Sequence, residues 1–262
     1  MRSKVADVRA PQPTAPLVHV PLTGRHAVVT GATGGLGKAI AEALAALGAR
    51  LTLVARSAGA LDRMSAEFAA KGLSATPLPL DLTDAPAVRS GIASLGRIDI
   101  LVNAAGTNVP RPIEEVTDEQ VDLMLGLNLK AVIVAIQAAV AQMARGGVVL
   151  NLSSQMGHVG APSRSVYCAS KHGVEGLTKA LGVELAPRGI RVVSLGPTFV
   201  ETPMTRPMFE DEAFRESVLG RIPAGRMACA EDVARAAAFL VSDAAAMITG
   251  TSLIMDGGWT AQ

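Results

Sequence analysis

The stretch Thr30-Gly31-Ala32-Thr33-Gly34-Gly35-Leu36-Gly37 decides the fold, because it joins a short β-branched run directly to a helical pattern. Glycines let the backbone approach a pyrophosphate, whose charge is met by the amides and dipole of the helix N-terminus. Between a strand and a helix, such a turn predicts a dinucleotide site. Two spacings remain open: Gly31, Gly35 and Gly37 fit G-x-x-x-G-x-G, whereas Gly31, Gly34 and Gly37 fit G-x-x-G-x-x-G.

Outward from this turn, short apolar runs alternate with longer helical stretches, which predicts a parallel sheet covered by helices. The predicted strands are 26–30, 51–55, 75–80, 100–103, 148–152, 191–195 and 252–255. The predicted helices are 36–47, 60–71, 85–95, 117–143, 165–185 and 231–241. With seven strands and no repeated unit, the fold class is α/β, a single domain with a doubly wound parallel seven-stranded sheet and helices on both faces.

Two segments stand outside this alternation. Residues 1–22 contain prolines at 11, 13, 16 and 21 and predict a mobile lead-in, so the dinucleotide-binding domain spans 23–262. Residues 198–228 form a long, irregular and apolar excursion after a strand, with a short helical piece inside it. We expect this excursion to be a substrate lid.

Composition excludes several function classes. The 262 residues are 49% hydrophobic and 18% charged with a net charge of +1, so neither disorder nor a nucleic-acid partner is predicted. No uninterrupted apolar window suggests a membrane span and no signal peptide is apparent, which favours a soluble, cytoplasmic protein. The two cysteines predict no disulfide framework, and the four histidines predict no metal site.

An arginine follows the second predicted strand, at the position where an acid would bind the ribose 2′-hydroxyl of NAD. The chain has Ala55-Arg56-Ser57 there. Because a guanidinium can pair with a 2′-phosphate and no carboxylate repels that phosphate, we predict NADP(H) in preference to NAD(H).

The segment Tyr167-Cys168-Ala169-Ser170-Lys171 places a phenol and an ammonium on one face of a predicted helix. A nearby cation that lowers the pKa of the phenol would make Tyr167 a usable proton donor and acceptor near neutral pH. Tyr167 is the only tyrosine of the chain, and Ser154 lies thirteen residues before it, at the end of a predicted strand.

Further motifs follow in order along the chain, namely Asn103-Ala104-Ala105-Gly106, Asn128, Ser154, Tyr167-x-x-x-Lys171 and Gly196-Pro197. Together with Gly31-x-x-x-Gly35-x-Gly37, they make residues 22–262 resemble the short-chain dehydrogenase/reductase family, which has a Rossmann-type fold. Within that family the chain is similar to 3-oxoacyl-carrier-protein reductases and to gluconate 5-dehydrogenase-like sugar or polyol dehydrogenases. The ending Met255–Thr260 and the stretch Pro197–Pro203 favour the sugar and polyol group.

The resemblance implies roles for four catalytic residues. Tyr167 would exchange the proton with the substrate oxygen, which Ser154 would hydrogen-bond. Lys171 would bind the nicotinamide ribose, and Asn128 would hold a water that links Lys171 to solvent. The implied cofactor-binding residues are Gly31, Thr33, Gly35, Leu36, Gly37, Arg56, Ser57, Asp81, Leu82, Asn103, Ala104, Gly106, Tyr167, Lys171, Pro197, Val200 and Thr202. For Asp81, a helix-entry cap is an equally good interpretation. The family also implies a homotetramer, built through the helices at 117–143 and 165–185 and the last strand.

The implied reaction is hydride transfer between nicotinamide and a ketone or secondary alcohol. The predicted substrate residues are Gln155, His158, Phe199 and Met204, with Val109, Met208 and Phe214 completing a mostly apolar wall. Arg111, Arg164 and Arg206 could meet an anionic substrate or could be solvated surface charges. Sugar acid, acyl thioester and alicyclic ketone all remain open as substrates. Alternative functions are a non-catalytic dinucleotide sensor and a nucleotide-sugar epimerase.

Overall fold

Seven parallel strands form one sheet in the computed structural model, which describes residues 20–202 and 205–262. The strands are β1 (His26–Thr30), β2 (Arg50–Ala55), β3 (Ala75–Pro79), β4 (Ile100–Asn103), β5 (Val148–Leu152), β6 (Arg191–Pro197) and β7 (Thr251–Met255). Their order is β3-β2-β1-β4-β5-β6-β7, so the first and fourth strands lie side by side where the strand order reverses. Ligands of open α/β sheets bind at the carboxyl ends of the strands near such a reversal. The predicted α/β fold class is confirmed.

In these described residues, eight α-helices connect and flank the strands. They are α1 (Gly35–Ala46), α2 (Ala58–Ala70), α3 (Ala85–Ala93), α4 (Asp118–Leu125), α5 (Ala131–Val140), α6 (Ser165–Leu185), α7 (Glu212–Leu219) and α8 (Ala230–Val241). Gly48, Gly72 and Gly96 follow α1, α2 and α3 with φ of +91°, +72° and +67°. These glycines end the helices in the left-handed conformation, where any other residue would be strained.

Two hydrophobic cores lie on opposite faces of the sheet. Successive residues of a strand point to opposite faces, so Ala27 and Val29 of β1 join the core beneath α1, α2 and α8. Val28, between them, joins the core beneath α3 and α5. Both faces are therefore covered, and the sheet presents only its edges to the surroundings.

The single helix predicted over 117–143 is interrupted. The chain forms α4, then a π-helical turn at Gly126–Lys130, and then α5. Thr117 and Gln120 form a capping box at the start, where the Thr117 hydroxyl accepts from Gln120 N. Short π-helical segments inside α-helices occur frequently at functional sites, and this one holds the fully buried Asn128.

The run Asp118–Val140 is long and apolar enough to cross a membrane by length and composition, with a mean hydropathy of 1.9 over its most apolar window. A core helix of a globular domain meets the same criterion. The α5 part of this run contributes Ala131, Val134, Ala135 and Ala139 to the core beneath the sheet, so packing inside the domain accounts for its apolar character.

The lid segment, defined here as residues 198–228, contains a 3₁₀ turn at Arg206–Glu210 and helix α7. Its three phenylalanines pack edge to face or tilted, with ring centroids 5.6 to 5.9 Å apart among Phe199, Phe209 and Phe214. Trp259 packs 6.1 Å from Phe199 and ties this cluster to the C-terminal end of the chain. The segment thus has its own small aromatic core.

Candidate active site

The glycine turn between β1 and α1 is closely packed against the loop after β4. A Cβ on Gly31 would lie 2.7 Å from the Cα of Ala105, and a Cβ on Gly37 would lie 2.2 Å from the carbonyl oxygen of Gly31. Gly34 is the N-cap of α1, whose first turn has no side-chain cap and no acidic residue. The N-terminal amides are therefore open to an anion, as the predicted pyrophosphate site requires. Thr33 is exposed beside them, and Gly35 and Leu36 form the first turn of the helix.

The end of β2 carries the predicted 2′-phosphate residue. Arg56 is exposed and forms no ion pair with a carboxylate of residues 20–202 or 205–262. The Ser57 hydroxyl accepts from Ala60 N at 3.3 Å and so serves as the N-cap of α2. These observations fit a guanidinium that is free for a phosphate and a serine partly used for capping.

Asp81 and Leu82 follow β3 and have different environments. The Asp81 carboxylate accepts from Thr83 N at 2.9 Å and from Thr83 Oγ1 at 2.7 Å, and these hydrogen bonds lower its pKa. Asp81 therefore closes a local turn, which agrees better with the helix-entry interpretation than with adenine binding. Its second carboxylate oxygen takes no part in these two hydrogen bonds. The Leu82 side chain is buried in the core, so only its backbone is placed to meet a cofactor.

Asn103 belongs to a buried amide chain that the sequence did not reveal. Its Nδ2 donates to Asn151 Oδ1 at 2.9 Å, and Asn151 Nδ2 donates to Thr178 Oγ1 at 3.0 Å. The chain links β4, β5 and α6, and all three residues are at most 3% exposed. An asparagine in the apolar strand Val148–Leu152 was the available signal, since buried amides need partners. On the other side, Ala104 N donates to Thr30 Oγ1 at 3.2 Å.

Asn128 clasps the loop after β4. Its Oδ1 accepts from Thr107 N at 2.8 Å, while its Nδ2 donates to Thr107 O at 2.9 Å and to Ser170 Oγ at 3.1 Å. Asn128 thus joins the π-turn to the loop and to the helix that carries Tyr167. Its predicted water-holding role stays a prediction.

Lys171 and Tyr167 lie together on α6 and beside the glycine turn. The Lys171 Nζ lies 5.7 Å from the ring centroid of Tyr167 and donates to Leu152 O at 2.8 Å. A Cβ on Gly106 would lie 3.8 Å from this Nζ, and the neighbouring Ala105 contacts Gly31. The phenol, the ammonium and the cofactor turn therefore form one site.

The expectation that Lys171 lowers the pKa of Tyr167 is wrong for this structure. Burial raises the pKa of Tyr167, although the ring keeps some exposed surface, and contact with Ser154 and the charge of Arg164 oppose the rise. Burial also lowers the pKa of Lys171 to about 8. The physical reason is that burial of the phenol disfavours the charged phenolate more than the contact with Ser154 and the charge of Arg164 favour it.

The strand end after β5 brings Ser154 to the phenol. Ser154 is buried and its Oγ accepts from Met156 N at 3.1 Å, which fixes the hydroxyl at the start of a short turn. Gln155 follows, 1% exposed, with its Oε1 free of any hydrogen-bond partner in the described residues. An unpaired buried acceptor is costly, so a substrate hydroxyl is a suitable partner for it.

The imidazole of His158 faces β7 and α6. Its Nε2 lies 3.2 Å from Ser252 Oγ and 3.3 Å from Glu175 Oε1. The buried Glu175, one turn after Lys171, also accepts from Ser194 Oγ at 2.7 Å. These contacts tie the loop after β5 to α6, β6 and β7, so they favour a positioning role for His158 over the predicted substrate contact.

Four predicted residues lie at the base of the lid. Pro197 ends β6, Val200 is 4% exposed and bridges to Ala228, and the Thr202 amide donates to Thr205 Oγ1 at 2.9 Å. Phe199 belongs to the aromatic cluster described above. Met204, the remaining predicted substrate residue, lies outside the described residues.

Known proteins resemble this chain over nearly its whole length. The sequence model of the enoyl-(acyl carrier protein) reductase family matches residues 31–260. L-xylulose reductase of Bos taurus is 40% identical over 92% of this chain and 98% of its own length.

Two solved structures share the architecture. Gluconate 5-dehydrogenase of Burkholderia cenocepacia, in complex with NADP and tartrate, is 31% identical with a TM-score of 0.88, over 92% of this chain and 97% of that one. A Beutenbergia cavernae protein with bound NADP, provisionally named an NAD(P)-dependent gluconate 5-dehydrogenase, is 37% identical with a TM-score of 0.88, over 92% of this chain and 99% of that one. With the glycine turn, the Tyr167–Lys171 pair and these matches in agreement, the chain belongs to the short-chain dehydrogenase/reductase family, and it is an oxidoreductase of alcohols and ketones.

Proposed function

We propose that this chain is an NADP(H)-dependent dehydrogenase that interconverts a sugar or polyol ketone and its secondary alcohol, with Tyr167 as general acid/base. One observation carries the proposal. Ser154 contacts Tyr167, and the Lys171 Nζ lies 5.7 Å from the Tyr167 ring and next to Gly106. Ala105, which precedes Gly106, packs against Gly31 of the glycine turn that opens α1. A non-catalytic sensor needs no such set, and the full-length match to reductases and dehydrogenases gives no support to an epimerase.

The residues at the cofactor end fit NADP. The open amides of α1 suit the pyrophosphate, and the unpaired Arg56 suits a 2′-phosphate. The relatives of known structure described above bind NADP. Bound nicotinamide would supply or accept the hydride, while this chain contributes alignment and electrostatics.

Each catalytic side chain has a separate task. In the reducing direction Tyr167 gives its proton to the substrate oxygen, a role that suits a phenol whose raised pKa keeps it protonated. Ser154 hydrogen-bonds the same oxygen as negative charge develops on it. Lys171 is held by Leu152 O at 2.8 Å, close enough to Gly106 to reach a ribose at that edge.

The proposal is tested by measuring the rate of NADPH oxidation with three carbonyl compounds, and each rate is measured again with NADH. The compounds are L-xylulose, 5-ketogluconate and cyclohexanone. We expect turnover with at least one of the two sugars. Tyr167→Phe should lower kcat by about 100-fold or more while NADPH still binds, since general acid/base catalysis contributes at least that much. Turnover of Tyr167→Phe close to that of the wild type would contradict the role of the phenol.

We also propose a homotetramer, as the family resemblance implies. Large apolar side chains are exposed on the elements concerned: Leu123 and Leu125 on α4, Val183 on α6, and Leu253 and Ile254 on β7. Exposed apolar groups on neighbouring elements are typical of protein interfaces. Sedimentation of the chain as a monomer at micromolar concentration would contradict this arrangement.

A further inference from the structure

Three arginines were open candidates for an anionic substrate, and their surroundings differ. Arg111 is 52% exposed and lies 3.5 Å from Glu115, and Arg206 is 66% exposed and lies 3.5 Å from Glu201. A carboxylate already accompanies each of these two cations at the surface. Neither therefore requires a further anion.

Arg164 has no such partner in the described part of the chain. Its side chain is half-buried and its Nη1 donates to Ser163 O at 3.2 Å, while its buried Nε finds no hydrogen-bond partner among the same residues. No carboxylate of the described ranges 20–202 and 205–262 lies within ion-pair distance of it. A half-buried guanidinium with an unused donor is costly unless a ligand completes it.

The position of Arg164 connects it to the reaction. It is the N-cap of α6, one helical turn before Tyr167, and residues three apart lie on the same face of a helix. The positive charge of Arg164 opposes the rise in the pKa of Tyr167, and Tyr167 opposes the fall in the pKa of Arg164. The first turn of α6 contains no acidic residue that could neutralise it.

The backbone before Arg164 is held in an unfavourable conformation. Ser163 has φ of +56°, and no other non-glycine residue of the described chain has a positive φ. Its carbonyl oxygen accepts from Arg111 N at 3.1 Å as well as from Arg164 Nη1. Strained backbone of this kind persists where surrounding contacts enforce it, and it concentrates at ligand sites.

We infer that Arg164 binds the carboxylate of the substrate, and that the chain therefore acts on sugar acids in preference to neutral sugars and polyols. The inference rests on the proposed function and adds the substrate class. Arginine suits this role because its planar fork can donate two parallel hydrogen bonds to a carboxylate. With the carboxylate held near the start of α6, the ketone of the sugar acid would lie toward Tyr167. A hydroxyl of the sugar acid could then donate to Gln155 Oε1, which has no hydrogen-bond partner among the described residues.

A matched pair of substrates tests the inference. 5-Keto-D-gluconate and L-sorbose share their carbon skeleton and ketone, but a hydroxymethyl group in L-sorbose replaces the carboxylate. We expect a higher kcat/KM for 5-ketogluconate in the wild type. Arg164→Gln should lower that value about 10- to 100-fold, the loss typical of a hydrogen bond to a charged group, and should change the value for L-sorbose by less than about threefold.

Two variants and one inhibitor complete the design. Arg111→Gln is the control, because Arg111 is exposed and already paired with Glu115. This variant should keep the preference for 5-ketogluconate over L-sorbose. Arg164→Lys should keep part of that preference, because the positive charge remains. Gluconate should inhibit the wild type competitively and Arg164→Gln at least about tenfold more weakly. If Arg164→Gln folds poorly, Arg164→Lys provides the test. Its ratio of kcat/KM for 5-ketogluconate to kcat/KM for L-sorbose should then be lower than that of the wild type.

Equal effects of Arg164→Gln on both substrates, or no effect on either, would overturn the inference. So would a wild type that reduces L-sorbose or L-xylulose but neither reduces 5-ketogluconate nor is inhibited by gluconate. In both cases the proposed dehydrogenase function would stand. Absence of turnover with every carbonyl compound and both cofactors would instead contradict the proposed function itself.

Discussion

The Nζ of Lys171 lies 5.7 Å from the centroid of the Tyr167 ring, and its hydrogen bond goes to the main-chain oxygen of Leu152. The ammonium is thus anchored to β5 and not to the phenol oxygen. Because Leu152 directly precedes Ser153 and Ser154, this bond also fixes α6 against the strand end that carries Ser154. The helix that carries Tyr167 and the strand that precedes Ser154 are joined through a buried cation.

Lys171 should give the domain a distinctive dependence of stability on pH. Its pKa is about 8 in the folded protein and 10.5 ordinarily, so between these values the unfolded chain binds a proton that the folded chain lacks. The free energy of unfolding should therefore rise with pH through this window. Urea unfolding at pH 7.5, 8.5 and 9.5 measures it, with Lys171→Met as the control that lacks the rise. Identical slopes in both proteins would show that Lys171 titrates normally.

Arg56 should determine the cofactor preference. Arg56→Ala should lower kcat/KM for NADPH by about tenfold or more, because a hydrogen bond to a charged phosphate is lost, and should leave the value for NADH nearly unchanged. The matched control is Arg89→Ala, which removes an exposed arginine of α3 that donates to Gln137 of α5. A wild type that prefers NADH would refute the NADP assignment.

Gly37 and Gly34 should respond differently to the same substitution. In Gly37→Ala the new Cβ would lie 2.2 Å from Gly31 O, whereas in Gly34→Ala it would lie 3.3 Å from that oxygen. Gly37→Ala should therefore destabilise the domain by about 1–3 kcal/mol or more and weaken NADPH binding. Gly34→Ala needs a shift of only a few tenths of an ångström and should cost less than about 1 kcal/mol. Thermal melts with and without NADPH compare the two, and equal losses would contradict this packing.

Asn151 should matter for stability because it joins two buried polar side chains. Asn151→Ala leaves the buried Asn103 Nδ2 and Thr178 Oγ1 without partners, and each unsatisfied group costs about 1–3 kcal/mol. We expect a loss of about 2–6 kcal/mol in urea unfolding. Gln137→Ala, which removes an exposed amide from α5, should cost little. A change below about 0.5 kcal/mol in Asn151→Ala would show that water replaces the amide.

Local sequence patterns determined much of the fold. The alternation of apolar runs and helical stretches predicted all seven strands within two residues at each end, because strand and helix periodicities are set within a few residues. The glycine turn, Ser154 at a strand end and the spacing of Tyr167 and Lys171 are local in the same sense. They predict a site at one edge of the sheet, because the carboxyl ends of neighbouring parallel strands meet there.

Only the tertiary structure decided the features that depend on residues far apart in sequence. The break of the predicted 117–143 helix at Asn128 depends on Thr107 and Ser170, and the rise of the Tyr167 pKa depends on burial that no spacing reveals. From the sequence alone, Arg111, Arg164 and Arg206 were equal candidates for binding an anionic substrate. Glu115 and Glu201 accompany two of them, and Arg164 alone is half-buried beside the phenol without a carboxylate in the described part of the chain. Desolvation and pairing arise from neighbours in space, whereas periodicity and turn chemistry arise from neighbours along the chain.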